Sequence, residues 1–256
     1  MKSLRTFARQ VGWEQRSFWR NPAAASFTFA FPLLFLVVFI ALNGNDTVQL
    51  PGGTVKFAQF YVPAIVAFGV ISACFTNLAF ALSIRRDNGL LKRVRSTPLR
   101  PSMYLAGLAG NVIVISIILT VLVSALGIAV YGVTFPGRYL GLIVVLAAGA
   151  FCFSALGSMV ATFVPNEDAA PAIINFILFP LLFISGTFER VDASSGLGHV
   201  ASVFPVFHLN KLLEAVFNPN ASGTGVIASH VAVLLAWGVG ALVIAARRFR
   251  WEPRHR

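Results

Sequence analysis

The chain has 256 residues, 57% of them hydrophobic and only 11% charged, where a soluble domain carries about 25% charged residues. That composition excludes an ordinary water-soluble enzyme and points to lipid as the solvent. The formal net charge of +11 follows from membrane orientation and contact with anionic headgroups, and nucleic acid is not an expected partner.

The first segment, residues 1–22, reads as an amphipathic helix. At 100° per residue Arg5, Arg9, Arg16 and Arg20 fall within an arc of about 60°, while Leu4, Phe7, Ala8, Val11 and Phe18 gather on another side. Such a helix lies along the membrane surface, with Trp13 and Trp19 at headgroup level and Pro22 separating it from the first apolar block. The same residues also fit a plain basic flank that only orients the protein. With charges spread along this segment and a long apolar block after it, no removable signal peptide is expected.

Apolar blocks then recur at about the 20-residue length that crosses ~30 Å of hydrocarbon as a helix. The expected spans are 23–42, 58–83, 103–131, 139–164, 169–187 and 226–246, a single all-α polytopic membrane domain with six transmembrane helices. Sixteen of the 20 Lys and Arg lie before the first span, between Arg85 and Arg100, or after the last span. The bias of basic residues makes those segments cytoplasmic, so the topology is N-in and C-in.

The connection between the second and third spans, 84–102, carries Leu90, Leu91 and Val94 among Lys92, Arg93 and Arg95. It predicts a compact cytoplasmic helix, entered by a turn at Gly89 and ended by Thr97-Pro98 and Pro101. A short helix held between two spans is a lever, because a push on it must move both. In the fifth span Phe176, Phe179 and Phe183 recur at helical spacing. They either line an aromatic substrate path or pack against lipid and neighbouring helices. The external stretch 188–225 is too long for a bare connector. Phe204-Pro-Val-Phe-His208 reads as its break, between a helix around Leu197–Val203 and another around Leu209–Phe217. Non-helical backbone at membrane depth is tolerated where protein buries it, so this segment fits either an external hairpin packed on the membrane domain or a shallow re-entrant one.

These features together resemble the permease subunits of ABC-2 type exporters, which include antibiotic, lipid and polysaccharide transporters. The resemblance covers nearly the whole chain. It rests on the surface helix, on the stretch with Gly89, Leu91, Arg93, Thr97 and Pro98, on Ser185-Gly186-Thr187-Phe188, and on Pro205 with the amphipathic segment through Leu213. It implies that Arg86 to Ser96, including Asp87, is a coupling helix that inserts into a separate ATPase chain, with the surface helix resting against it. It also implies a dimer of permeases, homodimeric or heterodimeric, over a dimer of ATPases, with ATP and Mg bound by the ATPase. Where the family often has glutamate before the glycine, Asp87 and Asn88 stand here.

The chain has no P-loop of its own, since its single lysine followed by serine or threonine is Lys2-Ser3 with no glycine-rich run before it. A secondary transporter or channel is the alternative reading. Ion-coupled carriers need ionisable groups within the membrane, and the six expected spans hold no Asp, Glu, Lys or Arg and only His230. An intramembrane enzyme lacks a carboxylate pair or a nucleophile with its base. His199 and His208, with Glu189 and Asp192, lack zinc spacing, so no metal site is expected. Cys74 and Cys152 behave as small hydrophobes. No glycosylation is assigned to the triplets at Asn45 and Asn220. A path wall without fixed charges suits a hydrophobic or amphipathic substrate, drug or lipid-like, in the cytoplasmic membrane.

Overall fold

The computed structural model describes residues 2–44, 46–50, 53–97, 99–134, 137–187, 196–221 and 223–248. Helix α1 (Lys2–Trp19) leads into α2 (Pro22–Asn43). Asn21 caps α2 by accepting from the Ala24 N–H, and Pro22 takes a first-turn position whose missing N–H costs nothing. A hairpin, β1 (Thr47–Leu50) against β2 (Gly53–Lys56), comes next and is the one departure from an all-α chain among the described residues.

The second expected span is one continuous helical run built of α3 (Phe57–Ile71), a π turn (Ser72–Thr76) and α4 (Asn77–Asp87). Nearly every residue of α3 is buried, because α2, α6, α7 and α10 surround it; a helix apolar on all sides fits such a position. The π turn bulges toward α7, where Gly157 lets the backbones meet: a Cβ there would stand 2.6 Å from the Phe75 carbonyl. Small residues at such crossings let apolar helices pack by van der Waals contact where no hydrophobic effect drives them together.

After α5 (Leu90–Arg95) come α6 (Pro101–Tyr131), α7 (Tyr139–Ala161), α8 (Ala170–Ile184), α9 (Gly196–Ala201), α10 (Pro205–Phe217) and α11 (Ala228–Arg248). Among the described residues five helical runs are long and apolar enough to cross a membrane, and the fifth expected span is the exception. Its helix, α8, has 15 residues, about 22 Å of helix. Span four also stops earlier than expected, as a turn comes directly after Ala161.

The bundle has two distinct ends. At one, α1, the last turn of α4, α5, the start of α6 and the last turn of α7 meet. Helix α11 returns to this end, where the Arg248 guanidinium stands 5.8 Å from the Phe163 ring. At the other, Gln59 on α3 donates to the carbonyls of Phe217 and Thr134, at 2.8 and 3.1 Å, and accepts from the Thr134 N–H. There Arg138, before α7, donates to the carbonyls of Ala215, Val216, Asn218, Ala221 and Gly223, closing the loop after α10.

Of the expected external segment, residues 188–195 lie outside the described residues, and its described part holds α9 and α10. Its break is displaced from the expected position. Helix α10 already begins at Pro205, so Pro205 to His208 are helical, and the irregular residues are Ser202 to Phe204. Proline at the first position starts a helix more readily than it interrupts one. The segment dips into the bundle. Val216 lies beside Gly141 near the start of α7, Leu209 lies beside Gly149 about two turns along, and the break meets Trp237 well inside α11. Its backbone is satisfied there: Trp237 donates to Val203 O, and His208 Nε2 bonds Ser202 O at 2.8 Å.

Candidate ATPase-coupling site

At the end of the bundle that holds both α1 and the C-terminal turn of α11, helix α4 runs one turn past its apolar part, through Asp87. Gly89 then turns the chain with φ +68°, a left-handed conformation that glycine adopts without penalty. Helix α5 continues from it for six residues. Ser96 and Thr97 close it by donating their hydroxyls to Arg93 O and Val94 O at 2.8 and 2.7 Å. Leu91 is fully buried and Val94 packs against the same core, while Lys92, Arg93 and Arg95 are exposed. Leu90 does not join the buried pair: it sits at the edge of their arc and is exposed. Pro98 lies outside the described residues.

Three side chains fix this platform to the rest of the bundle. Arg86 was expected to face a partner, and instead it is buried, with 2% of its surface exposed. It shares a face of α4 with Ala79, Leu82 and Ser83, which packs on α7. Its guanidinium donates to Ala161 O at 2.7 Å and to Val164 O, carbonyls at the C-terminal end of α7 that carry partial negative charge. Asp87 turns toward the next connection and accepts the Glu167 N–H at 3.1 Å. Arg85 makes a two-pronged bond to Glu14 of α1, at 2.6 and 2.9 Å, and also donates to the Tyr104 hydroxyl of α6 at 2.7 Å. Paired donors of this geometry combine strength with fixed direction. The last turn of α4 is thus bonded to α1, α6, the end of α7 and the turn before α8.

The ABC-2 type transporter family model matches residues 10–218, from the middle of α1 to just beyond α10. The chain belongs to the ABC-2 type transporter family. Among its relatives is the inner membrane transport permease YadH of Escherichia coli strain K12, 24% identical over 174 residues, which are 65% of this chain and 66% of that protein. The YadH protein of Shigella flexneri matches to the same extent. The chain spans just under two thirds of the length of these curated relatives.

In this ABC-2 family chain the other expected residues divide between exposed and buried faces. On α1 the cationic residues Arg5, Arg9 and Arg16 and the indole of Trp13 are exposed, as is Arg20 directly after the helix. Of the expected apolar side, Phe7, Val11 and Phe18 are half-buried, Phe7 and Val11 lying against Gly110 of α6, while Ala8 is exposed and Leu4 is 72% exposed. Of the three α8 phenylalanines, Phe179 borders a groove of about 370 Å³ between α2, the π-turn helix and α8, which Asn175 and Leu178 also line. Phe176 and Phe183 project outward, with 80% and 64% of their surface exposed.

Two arrangements had no signal in the sequence. Asn210 of α10 donates to Thr187 Oγ1 and Ser185 O, at 2.8 and 3.2 Å, joining the end of α8 to the inserted helix. His208 and His230 face each other with their Nδ1 atoms 2.6 Å apart. His208 Nε2 meets the Ser202 carbonyl, so that nitrogen donates. Twenty-two residues separate these histidines in sequence, and no helical period links them.

Proposed function

We propose that this chain is the permease subunit of an ATP-binding cassette exporter in the cytoplasmic membrane. In this reading it crosses six times, N-in and C-in, with α8 as a short fifth span and α9–α10 as a re-entrant hairpin. It moves a hydrophobic or amphipathic substrate, drug or lipid-like, and the energy comes from ATP and Mg²⁺ held by a separate ATPase chain. A second permease, identical or related, completes the pathway. Family membership supports the subunit role, and the name of the relatives supports transport at an inner membrane.

The observation that carries the reading is the construction of α5. It exposes Lys92, Arg93 and Arg95 while Leu91 beneath them is fully buried, an anchor that contributes about 2 kcal/mol. Behind it, Arg85, Arg86 and Asp87 bond to four other parts of the bundle. A force applied to α5 by a closing ATPase therefore moves α4, α6, α7 and α1 together instead of bending one loop. Rigid elements of this kind turn nucleotide chemistry into a change of access. For the substrate, the groove lined by Phe27, Phe31, Phe68, Phe80, Phe179 and Asn77 has about the volume of a drug-sized site and an aromatic wall without fixed charge.

The test is the double variant Arg93→Glu/Arg95→Glu. Taking ~1 kcal/mol for each exposed charge that is reversed, association with the ATPase should weaken tenfold or more. Membrane insertion should be unchanged. Undiminished co-purification together with undiminished transport would refute the assignment of α5.

A further inference from the structure

The outward face of α1 has a composition that the coupling role does not use. Helical geometry puts Arg5, Arg9, Trp13, Arg16 and Arg20 along one stripe, diametrically opposite the inward residues Val11, Glu14 and Phe18. Glu14, the one acidic residue of α1, is turned away and neutralised by Arg85 at 2.6 Å. The outward stripe is consequently cationic and aromatic with no anion of its own helix.

The C-terminal third of this stripe is shaped as well as charged. Trp13, Arg16, Trp19 and Arg20 line a groove of about 670 Å³. The Arg16 guanidinium stands 5.3 Å from the Trp13 ring. Trp19 is held in place by stacking on Phe29 of α2, with centroids 5.5 Å apart, and by donating Nε1–H to Gln15 at 3.0 Å. Asn21 and Pro22 begin α2 directly after it, so the groove sits at the mouth of an apolar helix. Indoles at the edge of a membrane span mark the headgroup layer.

We propose that this groove binds the phosphate of an anionic phospholipid, between the guanidiniums of Arg16 and Arg20, with Trp13 and Trp19 against its glycerol and upper acyl region. The proposal rests on the membrane placement of α2, and not on the ATPase assignment. Arginine suits the task because its planar fork meets two phosphate oxygens at once. The negative charge of the lipid balances the stripe, and each basic residue near an anionic surface strengthens attachment several-fold. The opposite face of the same helix holds Glu14, which is paired with Arg85 of α4, so an occupied groove also steadies the platform that carries α5.

The experiment uses the full chain with Trp237→Phe and Trp251→Phe, leaving Trp13 and Trp19 as reporters, in mixed micelles with brominated phosphatidylglycerol or brominated phosphatidylcholine. Quenching should favour phosphatidylglycerol by about tenfold or more. Arg16→Gln/Arg20→Gln should reduce the two lipids to parity, and Arg16→Lys/Arg20→Lys should retain most of the preference. Glycerophosphoglycerol, which has the headgroup without acyl chains, should not displace the brominated lipid. Equal quenching by the two lipids, or a preference unchanged in the glutamine variant, would overturn the proposal. Loss of ATPase co-purification in the glutamine variant, without a lipid preference in the parent, would overturn it in favour of a protein-facing stripe. No ATPase is present in the micelle assay, so its outcome is independent of the Arg93 and Arg95 test.

Discussion

Replacing Arg86 with alanine should loosen the platform under α5 more than any single change within α5 itself. The guanidinium donates to two carbonyls at the end of α7, Ala161 O at 2.7 Å and Val164 O, from a side chain that is 2% exposed. Hydrogen bonds from a charged group contribute about 1.5–3 kcal/mol each, so the pair amounts to roughly 3–6 kcal/mol before relaxation. Water entering the vacated space at the end of the bundle would satisfy the carbonyls in part and leave about 2–4 kcal/mol. The favourable placement of a cation at a helix C-terminus is lost too, a further ~0.5–1 kcal/mol. The measurement is the apparent melting temperature of the purified chain in detergent, then the ratio of ATP hydrolysed to substrate moved in the assembled transporter. Arg86→Ala should melt lower and hydrolyse without transport. Arg86→Lys, which keeps the charge but cannot fork between two carbonyls, should fall between alanine and the parent. If Arg86→Ala melts with the parent and stays coupled, the rigid link from α4 to α7 is refuted.

Two other perturbations probe the opposite end and the groove. Arg138→Gln removes the donor that gathers carbonyls from Ala215 to Gly223, at a cost of about 2–4 kcal/mol; hydrogen exchange should rise in 215–221 while the amides of α3 stay protected, and an unchanged exchange pattern would show that the loop holds itself. Phe179→Ala enlarges the aromatic groove and should shift substrate preference severalfold with assembly intact. Phe176→Ala, at a position 80% exposed and outside that groove, should leave preference in place; equal effects of the two would discount the groove as the path.

Much of the architecture was legible before the structure, for a reason specific to lipid. A spanning helix must be about 20 apolar residues long, so hydropathy alone marks α2, the α3–α4 run, α6, α7 and α11. Gly89 brackets the start of α5 because its left-handed φ favours glycine, and Ser96 and Thr97 close its end through their hydroxyls. The coarse class of the chain came from the order of these pieces.

Side-chain destinations were not legible, because they depend on which helix lies opposite. Arg86 and Arg93 are both cations in one basic stretch, and only the packing of α4 on α7 sends the first to buried carbonyls and leaves the second exposed. Nothing local to α1 marks Glu14 as the partner of Arg85, which lies 71 residues away. Phe176, Phe179 and Phe183 share a helical period, yet of the three it is Phe179 that borders the groove between α2, the π-turn helix and α8. Local sequence determined the long apolar helices, since hydrophobic length acts within a few residues, although the ends of α7 and α8 and the start of α10 differ from the expected bounds. The tertiary structure alone decided which polar groups are paired, since those bonds join residues tens of positions apart that only packing brings together.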